Sequence, residues 1–204
     1  MMNTITFDNK TYSPSKIVCV GLNFVDHIEE LNNQRPTEPV IFCKPNSSIA
    51  EEIRFHPGEL IHYETELSFL VLNQQLAGVG IGFDLTKRDL QSQLRAQGHP
   101  WERSKAFDGA AVFSQFIPLN DGLSELTIQL HINNKLAQDG GYDLMIFKPE
   151  YLLQYVGDFM SWCDGDILMS GTPKGVGAFQ QGDVFKAQIH AGDDCLLQQS
   201  WLVK

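Results

Sequence analysis

Ile61-His62-Tyr63-Glu64-Thr65-Glu66-Leu67-Ser68-Phe69-Leu70-Val71 is the stretch from which the fold is read. Taken as one extended strand, it places His62, Glu64, Glu66 and Ser68 on one side and Ile61, Tyr63, Leu67, Phe69 and Val71 on the other, because successive side chains alternate. The second set forms a core face. The first carries two carboxylates whose bases stand roughly 7 Å apart, and they repel each other unless a proton or cation lies between them. A lone E-x-E is more often a solvated strand face than a site, so neighbouring ligands decide the matter.

Downstream, Gly80-Ile81-Gly82-Phe83-Asp84 reads as an apolar strand ending in a carboxylate. Thr86 and Asp89 then have the T-x-x-D spacing of a capping box, for a helix that runs through Leu90 and Leu94 to a stop at Gly98. Asp84 by itself is a turn or cap residue; beside Glu64 and Glu66 it becomes a third oxygen ligand. Three hard carboxylates without thiolate or imidazole select Mg²⁺, Mn²⁺ or Ca²⁺ over zinc or copper. Mg²⁺ suits best, since an incomplete protein shell leaves positions for water and substrate.

Upstream, residues 16–20 (KIVCV) form a short buried strand ending at Gly21, and Asn23 caps a helix over 24–33. On that helix His27 and Glu30 are three apart and therefore neighbours, the spacing at which a carboxylate orients an imidazole and both handle a water's proton. A third helix starts near Pro149 and puts Leu152, Val156, Phe159 and Met160 on one face. Strands are expected at 40–43, 61–71, 79–84, 112–118, 126–132, 166–170 and 184–189, with turn-rich joints at Asn120-Asp121-Gly122 and Asp139-Gly140-Gly141. The pattern is strand-dominated α+β. No repeat or Pro/Ser-rich linker divides it, so one catalytic domain over 1–204 is expected.

Composition narrows the function. A net charge of -10 with 15 dispersed basic residues excludes a phosphate-tracking nucleic-acid binder, and no apolar run reaches the roughly 18 residues of a membrane span. The polar start, Met1 to Thr11, lacks a secretory pattern, and Cys19, Cys43, Cys163 and Cys195 are scattered without a CxxC pair. Buried free thiols in a reducing cytoplasm are expected. An anionic substrate then needs a local positive centre, which a cation can supply. Lys105, set between aromatics in Trp101–Asp108, wants a carboxylate or a substrate oxyanion if it is buried. Gly171-Thr172-Pro173-Lys174-Gly175-Val176-Gly177 offers N–H groups, a hydroxyl and flexible glycines to a carboxylate, but lacks Walker spacing.

Seven runs occur in the order of one known family: VCVGLNFVDHIEE from Val18, EPVIFCKP from Glu38, HYETEL from His62, DLTKRDLQ from Asp84, PWERSKAFD from Pro100, QDGGYDLMIF from Gln138 and GDILMSGTPKGVG from Gly165. Together they resemble the fumarylacetoacetate hydrolase family, especially its small acylpyruvase-like members. The resemblance implies a strand-rich mixed-sheet or β-roll fold, a Mg²⁺ or Mn²⁺ site at Glu64, Glu66 and Asp84, and a homodimer. It also implies a His27–Glu30 dyad on a mobile lid that activates water, Lys105 beside the metal, and substrate contacts from Arg88, Gln91 and Thr172. The implied reaction is hydrolysis of the C–C bond of an acylpyruvate-type 2-oxo acid. Its alternatives are decarboxylation of oxaloacetate-like acids, keto–enol tautomerisation at the same site, and a catalytically silent metal-stabilised binder. A structural domain with exposed carboxylates is the remaining option. Three features depart from the family pattern: Leu22 in place of an arginine, Tyr142 in place of threonine, and a short connection from Glu66 to Asp84. Glu64→Ala or Asp84→Ala is expected to abolish turnover and spare the fold.

Overall fold

The structure, a computed structural model, describes residues 2–30, 34–119 and 122–204, without the side chains of His27 and Glu29. Its spine is the hairpin of strands Thr65–Leu72 and Gln75–Asp84. Leucine, phenylalanine and valine dominate the first strand, and the second alternates glycine with valine, isoleucine and phenylalanine. Asn73 and Gln74 at the tip have φ of 50° and 62°, the left-handed backbone that a two-residue turn needs to follow the strand twist.

Among the described residues eight strands build the main sheet around this hairpin, in the order Val40–Pro45, Lys16–Gly21, Ile167–Met169, Thr65–Leu72, Gln75–Asp84, Ala111–Phe113, Ile49–Ala50, with Ile117–Pro118 also on Gln75–Asp84. Lys16–Gly21 and Ile167–Met169 run parallel, as do Ala111–Phe113 and Ile49–Ala50, so the sheet is mixed. One face packs Leu67, Phe69 and Val71 against the antiparallel sheet Lys135–Gly141, Leu126–Ile132, Val184–Ala191, Asp194–Leu202. Phe83 anchors that contact, edge-on to Phe185 at 5.6 Å and Trp201 at 4.9 Å. The opposite face carries a second core of Ile5, Phe7, Ile17, Leu70, Phe116 and Ile167.

The expected continuous strand 61–71 is broken at Glu64. Ile61–Tyr63 leaves the main sheet and pairs with Thr86–Lys87 and Gly177–Ala178. Ile61 and Tyr63 still reach the core that holds Leu67, Phe69 and Val71, so that part of the alternation survives. The other face is buried as well, because the N-terminal hairpin Ile5–Phe7 and Lys10–Tyr12 belongs to a layer the sequence reading did not anticipate.

Helix ends and turns also depart from what local spacing predicts. Thr86 lies in a strand; the helix Arg88–Ala96 begins after Lys87 with no side-chain cap. Its stop at Gly98 holds, through bonds from Gly98 N to Arg95 O (3.1 Å) and His99 N to Leu94 O (2.9 Å) around a φ of 67°. The first helix is Val25–Glu30, with Ile28 N bonded to Phe24 O, so Asn23 stands one residue too early to cap it. The expected extension over 31–33 and the turn residues Asn120 and Asp121 lie outside the described residues. Pro149 does open the helix Pro149–Gly157, and Leu152 and Val156 are buried, but Phe159 falls beyond its end and is exposed. The strand expected at 112–118 splits into Ala111–Phe113 and Ile117–Pro118. Asp139-Gly140-Gly141 is strand, not turn: a Cβ on Gly140 would stand 2.6 Å from Pro173 Cβ, so glycine there permits close packing. All four cysteines are free, yet Cys163 and Cys195 are exposed, contrary to expectation. No described helix is long and apolar enough to cross a membrane.

Asp166 joins the strand Lys16–Gly21 to the loop before Ile167–Met169. Its carboxylate accepts bonds from Ser15 N (3.0 Å), Ser15 Oγ (2.7 Å), Lys16 N (3.1 Å) and Cys163 N (2.9 Å), and pairs with the Lys16 ammonium. Burial would raise its pKa, but Lys16, Ser15 and the two backbone donors outweigh burial and hold it below the ordinary aspartate value. A depressed folded-state pKa contributes stability that is present above the unfolded value, about 3.9, and lost as pH falls through the folded one. Asp166→Asn should therefore lie below wild type in unfolding free energy at pH 7, with the gap closing in urea titrations below about pH 4.

Candidate active site

The break at Glu64 and the end of the neighbouring strand at Asp84 fall side by side, tied by a bond from Asp84 N to Glu64 O of 2.8 Å. Glu66 sits opposite Gly82 in the ladder. A Cβ on Gly82 would lie 2.2 Å from Ser68 Oγ and 3.0 Å from Met169, so only glycine lets the ligand strands close beside the carboxylates. Glu64, Glu66 and Asp84 are all buried, and one oxygen from each lies within 4.8 Å of the others. Burial removes the option of exposed strand carboxylates.

Two lysines face this cluster. Lys105, from the helical turn Glu102–Lys105, is buried and places Nζ 2.7 Å from Glu64 Oε2, Asp84 Oδ2 and Thr86 Oγ1. Burial alone would lower its pKa, but Asp84 and Glu64 overcome that and hold it above the ordinary lysine value, so it stays an ammonium. Phe42 lies beneath it, with the ring centroid 5.1 Å away. Lys44, fully buried at the end of Val40–Pro45, bonds Lys105 O and sets Nζ 2.8 Å from Asp84 Oδ1. On the outer side Arg88 donates to Glu64 Oε1, to Gln91 Oε1 at 2.6 Å and to His62 Nδ1 at 3.3 Å. Burial and then the Arg88 charge lower the His62 pKa.

The donor set fits a hard divalent cation. Glu66 has a pKa raised well above the usual range, first by burial and then by the charges of Asp84 and Glu64, with the Gly171 N–H (2.8 Å) and Lys105 opposing. A cation would relieve that repulsion. Asp84 Oδ1 makes no aligned hydrogen bond despite its ion pair, leaving an acceptor for an ion. Mg²⁺–oxygen distances of about 2.1 Å put neighbouring octahedral ligands about 3.0 Å apart and opposite ones about 4.2 Å apart, so oxygens within 4.8 Å of one another could gather on one ion by side-chain adjustment.

The remaining expected residues lie at different depths. Thr172 is buried; its hydroxyl donates to Thr65 O (3.0 Å) and accepts from Gln138 Nε2 (2.8 Å). Glu30, exposed on Val25–Glu30, accepts the Gly175 N–H at 3.1 and 3.2 Å. His27 lies on the same helix, but its side chain is outside the described residues. Lys44 and Gln138 were not singled out as functional. A lysine closing an apolar strand (VIFCK) was the available signal for Lys44, whereas nothing local marks Gln138.

The family description fumarylacetoacetate (FAA) hydrolase, C-terminal, matches residues 16–196. The chain belongs to this family. The fumarylacetoacetate hydrolase fold is borne out by a crystal structure from Oleispira antarctica, of a protein named as a fumarylacetoacetate isomerase/hydrolase, with 33% identity, full coverage of both chains and a TM-score of 0.94. Fumarylpyruvate hydrolase from Pseudomonas aeruginosa, in complex with Mn²⁺ and pyruvate, is 26% identical, with a TM-score of 0.88 over 99% of this chain and 95% of that one. In sequence, oxaloacetate tautomerase YcgM of Escherichia coli K12 is 35% identical over 190 residues, 84% of this chain and 87% of the relative.

The departures from the fumarylacetoacetate hydrolase pattern now have places. Leu22 has a φ of 58°, in the left-handed region, immediately after the strand Lys16–Gly21, and is uncharged. Tyr142 turns to Glu150, its hydroxyl 3.3 Å from both carboxylate oxygens, with Lys148 Nζ 4.6 Å from its ring centroid. The short connection from Glu66 to Asp84 is the hairpin turn at Asn73 and Gln74.

Proposed function

We propose that this chain is a divalent-cation-dependent keto–enol tautomerase of oxaloacetate or a closely similar 2-oxo dicarboxylate, with acylpyruvate hydrolysis as the second reading. The observation carrying it is the buried Lys105 ammonium, 2.7 Å from two of the three clustered carboxylates. The chemistry takes a proton from the carbon beside a ketone and returns one to oxygen, so it needs stabilisation of an enolate and no attacking water. Mg²⁺ or Mn²⁺ held by Glu64, Glu66 and Asp84 would supply Lewis acidity at the ketone. Lys105 keeps its proton and offers a fixed positive charge to the developing enolate. Arg88, steadied by Gln91, holds Glu64 from the outer side, both border the substrate, and the Thr172 loop receives its carboxylate.

Charge balance supports a dianion. Lys44, Lys105 and Arg88 match the three carboxylates, so a divalent cation leaves two positive charges for a dicarboxylate to neutralise. YcgM, a relative by more than a third of its aligned residues, is named for this reaction. Four free cysteines suit a reducing cytoplasm, and a homodimer is the assembly the family implies.

Hydrolysis is favoured by one finding, the likeness to an Mn²⁺- and pyruvate-bound fumarylpyruvate hydrolase. It requires water activation by His27 and Glu30. The two readings separate on His27→Ala, assayed with Mg²⁺ or Mn²⁺ on enol-oxaloacetate, acetylpyruvate and fumarylpyruvate with all products identified. Tautomerisation should persist within about twofold in the variant and vanish on chelation. Rapid release of pyruvate and a carboxylic acid from an acylpyruvate, lost in His27→Ala, would put hydrolysis in its place.

A further inference from the structure

The main sheet runs out beside the ligands. Ile167–Met169 pairs with Thr65–Leu72 only from Leu70 to Ser68, so among the described residues no strand pairs with Thr65, the residue between Glu64 and Glu66, on that side. Two side chains take over. Gln138 Oε1 accepts the Thr65 N–H at 3.0 Å, and the Thr172 hydroxyl donates to Thr65 O at 3.0 Å. Gln138 Nε2 uses both hydrogens on the loop, to Thr172 Oγ1 at 2.8 Å and Pro173 O at 2.7 Å.

This amide has one allowed orientation. Flipped, it would set a donor against the Thr65 N–H and an acceptor against Pro173 O, at a site only 2% exposed where neither could turn to water. The backbone is shaped to aim it. The ladder between Leu126–Ile132 and Lys135–Gly141 shifts register between Leu130 and His131, leaving Ala137 as the extra residue of a bulge immediately before Gln138. The same bulge presses on the loop: a Cβ on Gly175, where φ is 98°, would lie 2.0 Å from Ala137 O.

We infer that Gln138 is a positioning residue of the active site, setting the Glu64–Glu66 ligand strand and the Gly171–Gly177 loop at a fixed separation with two ends of one amide. The oxygen end steadies the ligands; the nitrogen end steadies the loop. This rests on the metal site proposed above, and metal binding is measurable without turnover, so the two can fail separately.

The experiment measures Mn²⁺ affinity of the metal-stripped protein, then pyruvate affinity of the Mn²⁺-loaded protein, both by calorimetry, in wild type, Gln138→Leu and Gln138→Glu. Gln138→Leu removes both ends and should weaken Mn²⁺ by about tenfold or more and pyruvate likewise. Gln138→Glu keeps an acceptor for Thr65 and loses the donors, so Mn²⁺ affinity should stay within about threefold while pyruvate binding weakens about tenfold. If Gln138→Leu fails to fold, Gln138→Glu alone decides through that split. Wild-type affinities in either folded variant, or equal loss of both affinities in Gln138→Glu, overturn the assignment. Wild type that binds Mn²⁺ but turns over no 2-oxo acid would count against the function and leave the Gln138 test intact.

Discussion

Asp84→Ala should abolish divalent-cation binding and with it measurable turnover, and should also destabilise the protein by about 3–5 kcal/mol. The structure changes what the sequence led one to expect, that the fold would be spared. Asp84 is 1% exposed and faces both Lys44 and Lys105 at 2.8 and 2.7 Å, so its removal leaves two buried ammonium groups with one fewer counter-charge. Removing one partner of a buried pair costs more than the pair contributes, because the other is left in low dielectric. The double variant Asp84→Ala/Lys44→Met should recover at least about half of the lost stability in a urea double-mutant cycle, and none of the cation binding. A stable single variant with wild-type Mn²⁺ affinity would remove Asp84 from the ligand set.

Lys105→Met should separate chemistry from metal binding. The ammonium engages Glu64 Oε2 and Asp84 Oδ2, on two of the residues that would hold the cation, so its loss frees those oxygens and should leave Mn²⁺ affinity equal or higher. The enolate loses its nearest fixed positive charge, and kcat should fall about 10²–10³-fold. In the absence of metal the variant should melt below wild type, since Glu64 and Asp84 then repel with one cation fewer, and saturating Mn²⁺ should restore most of the difference. Turnover at the wild-type rate would reduce Lys105 to a structural counter-ion.

The acidic triad was legible because carboxylates at 64, 66 and 84 are out of place in apolar strands unless something holds them there. Lys105 was legible for a similar reason, as a cation among aromatics. Thr86 was misread: its T-x-x-D spacing suits a cap, but the chain needed its hydroxyl against Lys105, and the short strand Thr86–Lys87 overrode the local signal. Asn23 was misread the same way. Its side-chain amide clamps Phe147 and Ser170, drawing the start of the first helix against two distant loops. Side chains of these types bond wherever the fold brings a donor or acceptor, and spacing along the chain reports only the nearby ones.

By itself the sequence determined a strand-rich α+β chain, the rough extent of its two central strands, the three carboxylates that the fold gathers, and the family resemblance. Residue type and period two suffice for those, since both act within a few residues. Only the tertiary structure decided that the chain breaks at Glu64, that Lys44 reaches Asp84 from 40 positions away, and that Gln138 closes the ladder at Thr65. The physical reason is that a buried polar group takes whichever partner the strand order sets beside it. Strand order is settled by burying both sheet faces together, a property of the whole chain that no single segment contains.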